Sequence, residues 1–300
     1  MKLDSLVTDL HEKVILDGQK LVWHKERVDA WRRGERIAPI TIDWALTRAC
    51  TYDCYFCYAN LQNNDIKKIT KDVIFRFLDD AAEIGVKAIS LVSDGESTCS
   101  PHVYDCIKRG KANGLDMAMG TNGYLLKDEE LEEMLPCMTY LRFNFSAGEP
   151  KRYSEIMGVP EDHYQKVVKT VKECVRIKRE NSLEVTIGLQ MVLQPKDIDQ
   201  VLPLAELGKE LGVDYVVIKH CSDDEQGSLG VDYKGYFTDA VKDTLTQAES
   251  MSTDNYLVKA KWSKIMSNGE RRYTKCFGTP FIFQISGSGL VAPCGKLFNQ

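Results

Sequence analysis

Short apolar segments alternate with longer amphipathic segments along most of this 300-residue chain. We predict strands at six of the apolar segments, over residues 40–46, 88–92, 116–120, 140–145, 185–192 and 215–219. We predict helices at the amphipathic segments, over residues 71–84, 102–113, 128–135, 162–179, 198–211 and 233–249. Strands that alternate with helices are typical of a parallel sheet with right-handed crossovers. The pattern predicts an α/β fold, either a partial barrel of six units or a doubly wound open sheet.

Three cysteines follow the first predicted strand on one short segment. Cys50, Cys54 and Cys57 have the spacing C-x3-C-x2-C. Three thiolates on one loop can hold three irons of a cubic iron–sulfur cluster and leave the fourth iron open for another ligand. A structural zinc site is the alternative, but it needs a fourth ligand, and no histidine or further cysteine lies nearby in the sequence. The spacing therefore favours a cluster that takes part in chemistry.

Charge and hydropathy limit the classes of partner. The chain has 39 basic and 44 acidic side chains, a net charge of −5, and no basic block that would bind nucleic acid. No apolar run reaches the roughly 18 residues that span a bilayer, and the first residues lack the apolar stretch of a signal peptide. We expect a cytoplasmic protein without a nucleic-acid or membrane partner. Its ten cysteines then indicate metal ligands and free thiols rather than disulfides.

The cysteine segment resembles the cluster-binding loop of the radical SAM superfamily, which has this spacing and an aromatic residue, here Phe56, before the third cysteine. The resemblance implies a [4Fe-4S] cluster on Cys50, Cys54 and Cys57, with S-adenosylmethionine bound to the open iron. One electron from the cluster then releases a 5′-deoxyadenosyl radical, so an external donor such as flavodoxin or ferredoxin is implied. Phe56 would lie near the adenine. The resemblance also favours a partial (β/α)6 TIM-like barrel over the open sheet.

The segment after the second predicted strand resembles the family's Gly-Gly-Glu motif. It reads Asp94-Gly95-Glu96 here. The resemblance implies that Glu96 and the backbone of Gly95 hold the amine of the methionine moiety. Asp94 stands where the family usually has glycine, so its role stays open. Without its position after a strand, Asp-Gly-Glu would be an ordinary turn sequence.

Polar residues also interrupt the later strands. Asn144 and Ser146 end the fourth strand and are similar in position to family residues that reach the ribose and carboxylate of the cofactor. They replace the usual serine and a frequent aspartate, and a polar strand end that begins a turn is the alternative. Gln190 and Lys219 interrupt the fifth and sixth strands, where an unpaired polar group is costly. We assign both to cofactor binding. Lys219 meets either a carboxylate or phosphate of a ligand or a buried structural ion partner.

Cys221 follows the sixth predicted strand at the expected mouth of the barrel. In some radical SAM epimerases, a cysteine returns a hydrogen atom to the substrate radical. The resemblance therefore makes Cys221 a candidate hydrogen donor, and a loop thiol without a function is the alternative. Cys106, Cys137 and Cys174 lie on or beside predicted helices, where we expect them to pack as small apolar side chains.

Cys276 and Cys294 flank a predicted hairpin over residues 281–285 and 290–292. This segment resembles the opening of SPASM or twitch extensions, which bind auxiliary iron–sulfur clusters. Two cysteines supply two ligands where a cluster needs three or four. Three interpretations of the missing ligands stay open: another cysteine joins these two, the sequence is truncated, or the resemblance is to a hairpin alone. We divide the chain into a helical segment over residues 1–38, a radical SAM core over residues 39–249 and the extension over residues 250–300.

The resemblance implies an enzyme that reductively cleaves S-adenosylmethionine and removes a hydrogen atom from a sugar or another small molecule, with oxidation or epimerisation as the outcome. A maturase that modifies a peptide or protein is the alternative. The N-terminal segment is too short for a folded leader-peptide-binding domain, which favours the small molecule. A non-catalytic iron–sulfur or zinc protein is the alternative from another class.

Overall fold

The computed structural model describes Leu10, Val14 and residues 18–62, 68–224, 226–270 and 273–298. Within these residues, nine strands form one sheet in the order β7-β6-β5-β4-β3-β2-β1-β8-β9. Their bounds are β1 Thr41–Trp44, β2 Ala88–Leu91, β3 Asp116–Thr121, β4 Met138–Asn144, β5 Thr186–Leu193, β6 Tyr215–His220, β7 Leu257–Ala260, β8 Ile282–Ile285 and β9 Val291–Ala292.

The strand order identifies the architecture. Strands β1 to β7 follow one another in sequence order, and all these neighbours are parallel. A doubly wound sheet would reverse its order at a switch point, and this sheet has no such reversal between β1 and β7. The α/β fold with a partial TIM-like barrel is therefore confirmed, and the open-sheet alternative is not.

Helices connect the strands in the described residues. Their bounds are α1 Lys25–Arg32, α2 Lys71–Glu83, α3 Val103–Ala112, α4 Asp128–Met134, α5 Pro150–Met157, α6 Asp162–Glu180, α7 Val201–Leu211, α8 Asp239–Glu249 and α9 Trp262–Ile265. The six predicted helices are present, although the last begins at Asp239. Helix α5 was not predicted, despite Pro150 in its first turn and Gly158 with φ +65° at its end, which are ordinary start and stop signals. None of the described helices is long and apolar enough to cross a membrane.

The C-terminal strands join the same sheet as the core. The predicted hairpin is confirmed, because β8 and β9 pair antiparallel. Its first strand also pairs in parallel with β1, with Ile42 opposite Phe283, which was not predicted. Strand β7, also missed, pairs in parallel with β6. The division of the chain at residues 249 and 250 stays a prediction.

The two faces of the sheet differ in polarity. The outer face is apolar and packs against the helices, for example through the tilted contact of Trp44 with Phe77, whose ring centroids are 4.4 Å apart. The inner face is concave, because Ser90 on β2 reaches across β3 to the hydroxyl of Tyr140 on β4, 2.8 Å away. We call the space on this side the lumen. By strand alternation, its polar side chains include Asp43, Ser90, Tyr140, Arg142, Asn144, Gln190, Lys219 and Gln284.

Candidate active site

The three-cysteine loop leaves the C-terminal end of β1, the edge at which barrel enzymes place their chemistry. Cys50 is exposed, whereas Cys54 and Cys57 are half-buried. The backbone N–H of Cys57 donates to the carbonyl of Cys54 over 2.9 Å, which makes a tight turn between them. The sulfur of Cys50 accepts from the backbone of Tyr52 over 3.4 Å and faces the amide of Asn122 at 3.9 Å. The fold thus gathers the three predicted ligands on one ordered loop.

Three glycines hold the backbone of this loop. A Cβ at Gly95, where φ is +74°, would lie 2.2 Å from the carbonyl oxygen of Thr47. A Cβ at Gly287 would lie 2.2 Å from the carbonyl carbon of the same residue, and one at Gly158 would lie 2.1 Å from the carbonyl oxygen of Asp53. Real Cβ atoms do not approach a backbone this closely, so only glycine fits at these positions. The role of the Gly95 backbone in cofactor binding stays a prediction. Its close packing against the cysteine loop is a second role, which was not predicted.

Asp94 connects the cysteine loop to the C-terminal hairpin. Its carboxylate forms an ion pair with the guanidinium of Arg48, with 3.1 Å between Oδ2 and Nε. Its other oxygen accepts from the backbone N–H of Gly287 over 2.8 Å. Arg48 also donates to the carbonyl of Gln62 over 2.9 Å. Asp94 stands where the family usually has glycine. Through Arg48 it joins the two ends of the cysteine loop to the hairpin.

The carboxylate of Glu96 is buried and accepts hydrogen bonds from several parts of the chain. Oε1 accepts from the backbone and hydroxyl of Thr98 over 3.1 and 2.8 Å and from the hydroxyl of Thr121 over 2.7 Å. Oε2 accepts from the backbone N–H of Asn122 over 2.7 Å. The backbone of Glu96 donates to Ala49 over 2.8 Å. A carboxylate has about four acceptor positions, so Oε2 retains capacity for one more donor, such as an ammonium. The assignment to the methionine amine stays a prediction.

Burial makes ionisation of the three loop thiols unfavourable without a bound cation. Burial raises the pKa of Cys50 to about 11, with a further contribution from neighbouring acidic groups. Burial also raises the pKa of Cys54 and of Cys57, and the charge of neighbouring thiolates adds to that of Cys54. Three thiolates therefore need compensating positive charge, which iron supplies on binding. In the described part of the chain, no three His, Cys, Asp or Glu side chains converge on one metal ion. The fit rests on the spacing and the soft donor set.

The ends of β4 and β5 present polar groups to the lumen. The amide of Gln190 donates to the side-chain oxygen of Asn144 over 3.0 Å, as their pairing in the sheet requires. The hydroxyl of Ser146 is buried and accepts from the backbone of Val192 over 3.2 Å. The side-chain oxygen Oε1 of Gln190 is buried and has no hydrogen-bond partner among the described residues. A free buried acceptor fits a ligand that has hydroxyl or amine donors, as S-adenosylmethionine has.

Cys221 and Phe56 lie in contact. The Cys221 side chain is buried, and its sulfur lies 3.8 Å from the backbone carbonyl of Phe56. Burial raises the pKa of Cys221 to about 11, so the thiol is protonated at neutral pH, as a hydrogen-atom donor requires. The Phe56 ring is half-buried and packs edge-on against Tyr55, with the centroids 5.7 Å apart. The roles of Cys221 and Phe56 stay predictions.

Lys219 faces the lumen from β6, two residues before Cys221. Burial lowers its pKa to about 7, and the positive charges of Arg142, Lys261 and Lys264 lower it further, against an opposing effect of Asp43. The structure thus places Lys219 among other cations. Arg142 was not predicted to be functional. Its position between Tyr140 and Asn144, on the alternating polar face of β4, is a signal that would have indicated it.

Several residues that were not predicted from the sequence anchor the outer side of the cysteine loop. The hydroxyl of Tyr55 hydrogen-bonds to the buried carboxylate of Asp197, which in turn forms an ion pair with Arg152 over 3.0 Å. The ammonium of Lys196 lies 3.8 Å from the centre of the Tyr55 ring. These side chains line a cavity of about 350 Å³. The position of Tyr55 inside the cysteine spacing is the sequence signal for this anchor.

The second pair of cysteines lies apart from these contacts. Cys276 and Cys294 are both exposed. Cys276 precedes β8, and Cys294 follows β9. Gln62, at the end of the cysteine loop, donates to the carbonyl of Gly295 over 3.0 Å. This hydrogen bond brings the segment after Cys294 to the loop. An auxiliary cluster on these two cysteines stays a prediction.

A partial βα barrel with a three-cysteine loop after its first strand defines the class of radical SAM enzymes. The chain belongs to the radical SAM superfamily, because the superfamily's sequence model matches residues 44–208, more than half of the chain.

Two curated relatives and one solved structure illustrate the similarity. The chain is 25% identical over 280 residues to the AdoMet-dependent heme synthase of Methanosarcina barkeri. This alignment covers 87% of this chain and 78% of the heme synthase. It is also 25% identical over 172 residues to a probable GTP 3′,8-cyclase of Saccharolobus islandicus, and the alignment covers 57% of this chain and 53% of the cyclase. The structure of Streptococcus suis SuiB bound to S-adenosylmethionine superposes with a TM-score of 0.68 at 16% identity, over 90% of this chain and 64% of SuiB. The chain thus spans about half of the cyclase and about two thirds of SuiB.

Proposed function

We propose that this radical SAM enzyme removes a hydrogen atom from a sugar or another small molecule that binds in the lumen, and that the reaction is an oxidation or an epimerisation. The polar part of the lumen, on β1 to β5, carries this proposal, whereas β6 and β7 turn an apolar cluster to the same side, in which Tyr215, Val217 and Leu257 pack with Val14. Barrel strands commonly fill their interior with branched apolar side chains, whereas Asp43, Tyr140 and Arg142 project into this one, in addition to the residues assigned to the cofactor. A small molecule with several polar groups would pair with them.

The names of the two curated relatives agree with a small molecule. One is a heme synthase and the other a probable GTP cyclase. The rival proposal is a peptide substrate. It is favoured by the fold similarity to SuiB in its complex with the precursor peptide SuiA, at a TM-score of 0.65 and 16% identity. That similarity concerns the fold alone, so we keep the peptide as the second candidate.

The chain's own residues have distinct roles in this proposal. When bound, the cluster and S-adenosylmethionine together supply a 5′-deoxyadenosyl radical that can remove a hydrogen atom from carbon. Cys50, Cys54 and Cys57 hold the cluster. Glu96 and the pair of Asn144 with Gln190 hold the cofactor's amine and hydroxyl groups. We also propose that a flavodoxin or ferredoxin supplies the electron, and that the protein is cytoplasmic.

Cleavage of S-adenosylmethionine tests the enzyme class. The anaerobically reconstituted protein should form 5′-deoxyadenosine when it receives S-adenosylmethionine and dithionite. Cys54→Ala should reduce this product by at least about a hundredfold, because it removes one of the cluster's thiolates. Cys137→Ala is the matched control, since Cys137 lies just before the start of β4, at the opposite edge of the parallel sheet from the cysteine loop. Equal product from the Cys54→Ala and parent proteins would reject the proposal.

Isotope transfer tests the substrate. Deuterated sugars or other small molecules are incubated with the enzyme, and 5′-deoxyadenosine is analysed for deuterium by mass spectrometry. Deuterium transfer from a small molecule supports the first candidate. Transfer from a deuterated peptide, with none from any small molecule, would overturn it in favour of the second.

A further inference from the structure

Two cations project into the lumen from different strands. Arg142 lies on β4, between Leu141 and Phe143, whose fully buried side chains point to the helices. Its guanidinium extends over β3, because a Cβ at Gly120 would lie 3.1 Å from Nη2. Lys219 projects from β6, on the same face. The absence of a side chain at Gly120 leaves room for the guanidinium, so the sequence accommodates Arg142 at this place.

Neither cation forms an ion pair with a described residue. Among the described residues, no carboxylate lies within 4.0 Å of the nitrogens of Arg142 or Lys219. The Nε of Arg142 is buried and has no hydrogen-bond partner there. The carboxylate of Asp43 faces the same lumen and accepts from the amide of Gln284 over 3.1 Å. The two cations therefore keep donors available for a group that enters the lumen.

This arrangement is unfavourable without an anion. Positive charge from Arg142 on β4 and from Lys261 and Lys264 beyond β7 opposes protonation of Lys219, and Asp43 on β1 offsets it in part. Partly buried charges of one sign cost free energy unless a counter-charge enters. Such uncompensated groups in a lumen are commonly retained for ligand binding. The chain does place the carboxylate of Asp43 within electrostatic reach of both cations, but its one negative charge faces two positive ones.

We propose that Arg142 and Lys219 bind an anionic group of the substrate, a carboxylate or a phosphate. This inference rests on the proposed function and names the substrate class for the same lumen. The guanidinium offers a planar pair of donors to two oxygens, and the ammonium adds a point charge. Arg142 lies two residues before Asn144 on β4, so it is deeper in the barrel than the residues assigned to S-adenosylmethionine. Lys219 pairs with Val192, two positions beyond Gln190 towards the mouth, so the alternative that it binds the cofactor is an outcome of the test below.

Calorimetry on the reconstituted full-length protein tests the site. Malonate and inorganic phosphate are titrated in separate experiments with S-adenosylmethionine present at saturation, and uncharged malonamide is the control ligand. At least one anion should bind, and malonamide should not. Arg142→Gln and Lys219→Met should each weaken binding about tenfold or more, since each removes a charge-assisted hydrogen bond. Binding of malonate alone identifies a carboxylate, and binding of phosphate alone identifies a phosphate.

Two further variants separate the site from general effects. Lys219→Arg keeps the charge and should bind within about threefold of the parent, which shows that the fold tolerates a change at this position. Lys169→Met removes an exposed cation on α6 and should leave binding unchanged. Malonate affinity should also fall as the pH rises from about 7 to about 9. Lys219 loses its proton in that range, whereas malonate stays ionised.

Several outcomes would overturn the inference. These are the absence of binding by either anion, equal weakening by Lys169→Met, and binding that disappears when S-adenosylmethionine is added. The last result would assign the two cations to the carboxylate of the cofactor. Failure of the proposed function is observed separately, as a parent protein that binds the anion but forms no 5′-deoxyadenosine.

Discussion

Glu96 has a structural role in addition to the predicted contact with the cofactor. Its buried carboxylate accepts hydrogen bonds from the turn that follows β2 and from the end of β3. Its backbone donates to the cysteine loop at Ala49. One side chain thus joins three segments that all meet at the C-terminal edge of the sheet. A change at Glu96 should therefore affect stability even without the cluster.

Glu96→Gln should destabilise the cluster-free protein by about 2 kcal/mol, because its NH₂ group would face a donor in either orientation and leave that donor unsatisfied. Urea unfolding under anaerobic conditions, followed by circular dichroism, measures this difference. Glu129→Gln is the control, since Glu129 is exposed on α4 and should change stability by less than about 0.5 kcal/mol. Equal stability of Glu96→Gln and the parent would contradict the structural role.

Among single residues, the sequence indicated the three cysteines most clearly, because their chemistry depends on spacing within one loop. Asp94 is the opposite case. Its partners are Arg48, before the cysteines, and Gly287, 193 positions later in the chain. No local pattern links these residues, so only folding could reveal that the departure from the family's glycine supplies an ion pair.

At the scale of elements, the C-terminal hairpin is part of the wall that holds the cysteine loop. Strand β8 pairs with β1 along Thr41–Trp44, and the turn after β8 lies against the loop backbone. The sequence predicted the hairpin from its alternation and its glycines. The pairing of β8 with β1 could not be predicted, because the backbone hydrogen bonds between strands do not depend on side-chain identity.

Gly287→Ala should reduce the iron and sulfide content to roughly half or less, because its Cβ would overlap the backbone of Thr47 and displace the loop. Gly289→Ala is the matched control in the same turn. Its Cβ would enter open space, although its φ of +84° adds conformational strain. Iron and sulfide are assayed after anaerobic reconstitution. If both variants retain the parent's content, the hairpin does not position the loop.

For the whole molecule, one continuous sheet connects all the described strands from β7 to β9. The segment predicted as an extension contributes β7 at one side of the sheet and β8 with β9 at the other. Backbone hydrogen bonds link it to the core, including those from Ala45 to Ile285 over 2.9 Å and from Ile40 to Phe281 over 2.7 Å. We therefore expect the rest of the sheet to depend on this segment for its stability.

A chain that ends at residue 274 should therefore lose cooperative unfolding and most of its iron, although it keeps Cys50, Cys54 and Cys57. This truncation removes β8 and leaves β1 as an unprotected edge strand, which also favours aggregation. Thermal unfolding by circular dichroism and the iron assay measure these effects. A truncated protein that melts as sharply as the parent, with the same iron content, would support the predicted division at residue 250 instead.

The sequence by itself determined the alternation of strands and helices, the apolar outer face of the sheet and the cysteine spacing, because each depends on residues close together in the chain. Tertiary structure decided which strands neighbour β1, what holds the cysteine loop and which charges share the lumen. Arg142 and Lys219 are 77 positions apart, and the sequence indicated Lys219 as a ligand-binding residue without indicating Arg142. Only the curvature of the sheet brings them to one space, where we propose that they bind an anion.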